Sequence, residues 1–245
     1  MSWLGLLLIG FATSDLVFSV RPLRHVPEAV GAVVAVIAGL LAGMTDGRDL
    51  VAMLVVVAFT VAWGQSVTRG FAAGGRPWVP LAVFATGVVG AVALSPLAPY
   101  ADGLLGRWLE ATPFGVVAGL PAGAALVLVG VLLLQLSTGN VLVRLVLAAT
   151  GTVDPSRSDG DRDVPSYRLK GGRLLGPMER LFILGLGIAG QLTAASVVIA
   201  AKGLLRWPEL QDARKQHRIH AVTEYFLVGS FASWTVALAS LVLLL

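Results

Sequence analysis

Long apolar segments separated by short polar ones dominate the chain. Seven segments have, or nearly have, the length and apolarity of membrane crossings: 3–20, 28–44, 50–67, 78–98, 114–136, 174–201 and 222–245. A crossing helix needs roughly 20 apolar residues, so the second and third segments are marginal. The pattern lacks the alternation of apolar and polar residues that marks the strands of a membrane barrel. Lipid offers backbone groups no hydrogen-bond partner, so a crossing segment that is not a barrel strand must be a helix. It therefore predicts an all-α fold: a polytopic integral membrane bundle of six or seven transmembrane helices, forming one domain over residues 1–245.

Two segments in the second half of the chain do not fit a crossing. Residues 137–150 are apolar but too short, and we predict an interfacial helix whose Arg144 extends to the lipid headgroups. Residues 151–170 are rich in Asp, Ser, Pro and Gly. This composition is typical of a flexible polar loop.

Composition and charge narrow the class of protein. Hydrophobic residues make up 56% of the chain and charged residues 13%, whereas soluble domains average about 25% charged residues. The net charge is +4, but the basic residues flank apolar segments, where headgroups and topology explain them. We therefore expect membrane lipids as partners and no nucleic acid. The absence of cysteine excludes disulfides and thiol chemistry.

The loop charges predict an orientation in the membrane. With the N-terminus outside, Arg21 and Arg24, then Arg69 and Arg76, and then the basic residues of 144–173 lie in the cytoplasm. The basic cluster within 202–218 would lie outside, against the positive-inside rule. Six spans therefore remain an alternative to seven, and the orientation of 202–221 stays open. The Ala, Val, Leu and Gly content is typical of a bacterial protein, so we expect the bacterial plasma membrane.

The sixth apolar segment carries the most informative polar residues. The sequence GRLLGPMERLFIL at 171–183 places Glu179 and Arg180 near the edge of this segment. If 174–201 is one helix, Gln191 and Lys202 share the face of Arg180. Such a face belongs in the bundle interior, as a ligand pocket or as a structural ion pair. The position of both charges near the segment end favours the structural interpretation.

Two further acids stand in apolar surroundings. Asp15 lies late in the first segment, where an unpaired carboxylate is costly. It is either a ligand-contacting or proton-accepting group, or an interfacial acid satisfied by an arginine such as Arg21. Glu224 begins the last segment and Lys202 ends the sixth. An ion pair between them would tie the two helices into a hairpin.

A metal site is a weak candidate. His217, His220 and Glu224 follow helical spacing and would cluster on one face. Neighbouring arginine and lysine residues disfavour a cation there. We therefore predict no metal and no cofactor.

The last third of the chain resembles the bacterial integral-membrane family of domain of unknown function 3307, mainly over residues 171–245. GRLLGPMERLFIL, GQLTAASVVIAAKGLLRWPEL and TEYFLVGSFASWTVALASLVLLL are similar to three of its blocks. The matching polar positions are Glu179, Arg180, Gln191, Lys202, Arg206, Glu209, Glu224 and Tyr225. The resemblance implies a helical membrane fold. It implies no activity, since the family has no assigned one, and this chain lacks the intramembrane histidines typical of its members.

Two classes of function fit these features. The first is a non-enzymatic bundle that binds a protein partner, lipid or small molecule, with its polar interior around the sixth helix, and such a bundle could be a homo-oligomer. The second is a membrane-embedded enzyme acting on a lipid or prenyl-type substrate, with Asp15 or Glu179 as acid or base and Arg180 binding an anion. A small transporter or channel subunit is a further alternative. The lack of a nucleophile or metal motif favours the first class.

Overall fold

The computed structural model of the protein describes residues 1–98, 100–115, 118–152, 172–205 and 219–245. Within these ranges the chain forms ten α-helices, a short 3-10 helix at Ser95–Leu97 and no strand. The helices are α1 Ser2–Val20, α2 Val26–Leu41, α3 Gly47–Gly70, α4 Trp78–Ala93, α5 Gly103–Ala111, α6 Ala122–Leu136, α7 Thr138–Ala149, α8 Gly172–Ile188, α9 Leu192–Leu205 and α10 Ile219–Leu244. The predicted all-α membrane-type bundle is confirmed.

Three described helices are long and apolar enough to cross a bilayer: α1, α3 and the Thr223–Leu244 part of α10. A fourth arises if α6 and α7, separated only by Ser137, form one interrupted span. Helices α2 and α4 are apolar but have 16 residues each. A helix of that length is about 24 Å long, short of the roughly 30 Å hydrocarbon core. The described helices thus supply three or four full-length spans, and the six or seven predicted depend on these shorter helices.

The chain divides into two compact units, Met1–Thr138 and Gly139–Leu243. Whether the two units act as the single membrane domain predicted over 1–245 stays a prediction. In the first unit α1 is the central helix and packs against α2, α3, α4 and α6. Its side chains Leu4, Leu6, Leu8 and Phe11 are fully buried. A helix that is apolar on all sides is suited to this central place.

The close approach of α1 and α6 depends on glycine. A Cβ atom at Gly5 would overlap the backbone of Leu126, and one at Gly130 would meet Leu8 and the carbonyl oxygen of Gly5. Small residues at a helix crossing let the two backbones meet and gain dispersion contacts, which replace the hydrophobic driving force in lipid.

In the second unit α8 packs against α9, and α10 joins them through a buried cluster of Ile183, Ala195 and Ala237. The prediction of one continuous helix over 174–201 is wrong. Helix α8 ends at Ile188, and Gly190 adopts a left-handed conformation with φ of 71°. The amide of Gly190 donates to the Gly187 carbonyl and that of Gln191 to the Leu186 carbonyl. This hydrogen-bond pattern is the Schellman motif, which ends a helix.

Other sequence boundaries also shift. The predicted interfacial helix at 137–150 corresponds to α7, although its place at the membrane surface stays a prediction. In the described part of the segment 114–136, the helix begins at Ala122, after Pro121. The predicted flexible loop at 151–170 lies outside the described residues from position 153 onward.

Candidate functional site

Asp15 is the centre of a buried polar cluster in the first unit. Its carboxylate lies on α1 and is 8% exposed. The indole Nε1 of Trp63 on α3 donates to both carboxylate oxygens, at 3.2 and 3.1 Å. The hydroxyl of Thr138, the first residue of α7, donates to Oδ2 at 2.6 Å. The expected arginine partner is wrong, since Arg21 is exposed beyond the end of α1 and neutral donors satisfy Asp15.

Aromatic packing positions Trp63, the indole donor to this carboxylate. Trp63 is fully buried. It stacks on Phe11 with ring centroids 5.4 Å apart and lies 5.5 Å from the ring of Phe84. Rings at such distances gain dispersion and quadrupole energy. The packing therefore fixes the indole in the orientation in which it donates to Asp15.

A second carboxylate lies nearby and was not singled out from the sequence. Glu28, in the first turn of α2, is 9% exposed. Its side chain packs on Gly64 of α3, where any side chain would overlap it. Its Oε2 atom is buried and has no hydrogen-bond partner among the described residues. The charge of Glu28 also acts on Asp15. The sequence signal that could have identified Glu28 was a single acidic residue at the start of an apolar segment.

Arg180 is the centre of a separate buried cluster in the second unit. Its guanidinium lies on α8 and is 1% exposed. It donates to Oδ1 of Asn140 on α7 at 2.8 Å and to the hydroxyl of Ser233 on α10 at 3.3 Å. A Cβ atom at Gly139 would collide with the guanidinium. The arginine therefore joins three helices at a place where glycine provides the room.

Glu179 supports the same junction. Its carboxylate accepts a hydrogen bond of 2.7 Å from the indole of Trp234 on α10. The opposite charges of Glu179 and Arg180 also interact favourably. A buried charge is tolerated when hydrogen bonds and an opposite charge replace its water. Glu179 and Arg180 are thus enclosed by protein groups.

Gln191 and Glu224, whose side chains the structure describes, do not join either cluster. Gln191 is exposed at the break between α8 and α9, and Glu224 is exposed on α10. The side chains of Lys202 and His220 and the whole of His217 lie outside the described residues, so the Lys202–Glu224 pair stays a prediction. Within the part of the chain that the structure describes, no three His, Asp or Glu side chains could hold a metal ion together.

The outward face of α8 is apolar. Met178 and Phe182 are each more than half exposed. With Leu181, Gly185 and Leu186 they line an open groove of about 420 Å³. The charged side chains of Glu179 and Arg180 thus point into the protein together with Ile183 and Leu184, while Met178 and Phe182 point outward. A helix on a soluble protein would instead turn its charged residues outward.

No family model matches the chain, and no curated protein and no solved structure matches it. The resemblance to the family of domain of unknown function 3307 is therefore untested and remains a proposal.

Proposed function

We propose that this protein is a non-enzymatic component of the bacterial plasma membrane that binds membrane lipid along the outer face of α8. The observation that carries the proposal is that α8 encloses its charged side chains and exposes large apolar ones. Glu179 and Arg180 are enclosed and bonded to protein groups, whereas Met178 and Phe182 face outward.

The lining of the α8 groove supports a hydrocarbon ligand. Its five residues, Met178, Leu181, Phe182, Gly185 and Leu186, offer no hydrogen-bonding side chain. A ligand with polar groups at this position would lose its hydrogen bonds to water without replacement. An acyl chain has none to lose. Met is flexible and polarisable, so it adapts to chains of different shape.

The enzyme and transporter alternatives have less support. An anion-binding role for Arg180 requires contact with substrate, yet its side chain is 1% exposed and bonded to Asn140 and Ser233. Transporters often contain interrupted helices. Breaks occur here at Ser137 and at 189–191, but the carboxylates at Asp15 and Glu28 lie in the other unit from α8.

Lipid retention by a groove-filling variant tests the proposal. A Cβ atom at Gly185 meets nothing within 4 Å, and Gly185 lines the groove, so Gly185→Leu adds bulk where the groove lies. Gly90→Leu on α4 is the matched control, because a Cβ atom there also meets nothing within 4 Å. We expect native mass spectrometry after mild extraction to show several-fold less bound phospholipid for Gly185→Leu. Gly90→Leu should retain the level of the unmodified protein.

Two results would overturn the lipid proposal. Equal phospholipid retention by Gly185→Leu and Gly90→Leu would show that the groove holds no lipid. A change from oligomer to monomer in Gly185→Leu, with lipid unaltered, would show that the groove contacts a second copy of the chain instead.

A further inference from the structure

We infer that α5 is an interfacial helix whose exposed apolar face, formed by Leu104 and Trp108, lies among the lipids at the membrane boundary where α1 begins. This surface belongs to the first unit of the protein. The inference does not depend on the proposed lipid binding by the groove on α8.

The start of α5 is fastened to the end of α2. Helix α2 ends at Leu41, and the amide of Asp102 donates to the carbonyl oxygen of the next residue, Ala42, at 3.0 Å. A Cβ atom at Gly103, the first residue of α5, would overlap the backbone of Ala42 and Gly43. Helix α5 therefore begins at the level at which α2 ends.

The rest of α5 lies at the level at which α1 begins. Leu109 of α5 packs in a buried cluster with Ala122, the first residue of α6. A Cβ atom on the next residue, Gly123, would lie 3.6 Å from the amide nitrogen of Ser2, the first residue of α1. Because α1 is long enough to cross a bilayer, its first residues mark the edge of the hydrocarbon core. Helix α5 thus lies at that edge.

Packing against the bundle leaves one apolar face of α5 uncovered. Leu105, Gly106 and Leu109 share the side that packs on the first unit. Leu104 and Trp108 are each more than half exposed, and their spacing of four residues places them together. Their direction is roughly 130° from the packed side around the helix axis. The fold of this unit therefore does not bury the Leu104–Trp108 face.

The charged residues of α5 occupy a third side. Arg107 and Glu110 are both exposed and lie roughly 110° from the Leu104–Trp108 face and 120° from the packed side. A helix with a packed, an apolar and a charged side is suited to a place where protein, hydrocarbon and water meet. The membrane interface is such a place. With nine residues, about 14 Å, α5 is too short to cross the bilayer.

The composition of the exposed surface favours lipid over a protein partner. Trp108 and two residues that flank α5, Tyr100 and Phe114, all have rings more than half exposed. Trp and Tyr are enriched at the membrane boundary, because each ring has an apolar body and a polar tip. The two side chains of the Leu104–Trp108 face supply only a minor part of the roughly 800 Å² per partner that a stable protein interface buries.

Spin labels on the four exposed positions test the inference, because the chain contains no cysteine of its own. Leu104→Cys, Trp108→Cys, Arg107→Cys and Glu110→Cys are each labelled in the full chain and placed in phosphatidylcholine vesicles. Power-saturation measurements compare collisions with oxygen, which concentrates in hydrocarbon, and with a nickel chelate, which stays in water. We expect the oxygen-to-nickel ratio to be several-fold higher at Leu104 and Trp108 than at the matched controls Arg107 and Glu110.

A hydrocarbon reference and the two independent apolar positions make the result decisive. Leu54 is exposed on the full-length helix α3, so a label on Leu54→Cys gives the ratio expected inside the bilayer. Leu104→Cys keeps Trp108 intact, and Trp108→Cys keeps Leu104, so one variant still reports on the face if the other fails to fold. Equal ratios at all four α5 positions would show that α5 has no lipid-facing side and overturn the inference. Few collisions with either reagent at Leu104 and Trp108 would also overturn it, because protein, such as a second copy of the chain, would then cover the face.

Discussion

Arg180 has the lowest exposure of any charged side chain in the described part of the chain, at 1%. Replacing it with Ala removes the donor for Asn140 and Ser233 and leaves Glu179 without the neighbouring positive charge. Breaking a buried charge network in this way costs on the order of 3 kcal/mol. We expect Arg180→Ala to lower the melting temperature in detergent by several degrees.

An exposed arginine provides the comparison for this effect. Arg107 lies on α5 and is exposed, so Arg107→Ala should change the melting temperature little. Melting of the two variants by circular dichroism under one detergent condition measures the difference. Equal melting temperatures for Arg180→Ala and the unmodified protein would contradict the view that the buried network stabilises the fold.

The sequence identified three of the buried charges, Asp15, Glu179 and Arg180, but not their partners, and it missed Glu28. Asp15 and Arg180 stood out because a charge in an apolar segment is expensive. Thr138 is 123 residues from Asp15 along the chain, and Ser233 is 53 residues from Arg180. Contacts at such separations depend on helix packing, which periodicity within one segment does not reveal. Trp63 and Trp234 were equally hidden, since tryptophan in an apolar segment suits the core without a polar role.

At the scale of the element, α8 shows how one glycine divides an apolar segment. Residues 174–201 have the composition of one span, but Gly190 takes a positive φ and completes the Schellman motif. Composition averaged over 20 residues does not reveal such a stop. The local sequence does indicate the end of a helix, because Gly190 is followed by the polar residue Gln191.

Because the chain turns at Gly190 after α8, we expect alanine substitutions at Gly190 and Gly185 to change the stability of the protein by different amounts. Gly190→Ala places a Cβ atom on a residue with φ of 71°, which costs about 1–2 kcal/mol. Gly185 is inside α8 with open space around it, so Gly185→Ala should be neutral or stabilise by up to about 1 kcal/mol. Thermal unfolding of both variants tests this order. If Gly190→Ala melts no lower than the unmodified protein, the left-handed turn does not form and 174–201 is one helix after all.

At the scale of the whole molecule, the number of crossings depends on the short helices. Composition predicted the membrane class because it sums over every residue, and the described helices agree with it. It did not determine how many segments cross, since α2 and α4 have only 16 residues each. A short helix crosses when the bilayer thins or flanking residues extend to the interface. The length of α2 and α4 therefore does not determine whether these helices cross the membrane.

Introduced cysteines test the crossing of α2 directly, because the chain contains none of its own. Arg24, Thr45 and Arg76 are exposed in the connections on either side of α2 and after α3. If α2 and α3 both cross, the positive-inside rule places Arg24 and Arg76 in the cytoplasm and Thr45 outside. We expect a membrane-impermeant maleimide added to intact cells to label Thr45→Cys, and to label Arg24→Cys and Arg76→Cys only after lysis. Labelling of Arg24→Cys and Thr45→Cys from the same side would show that α2 enters the membrane without crossing it. The buried carboxylate of Glu28 would then lie in a re-entrant helix, and the six-span alternative would replace the seven.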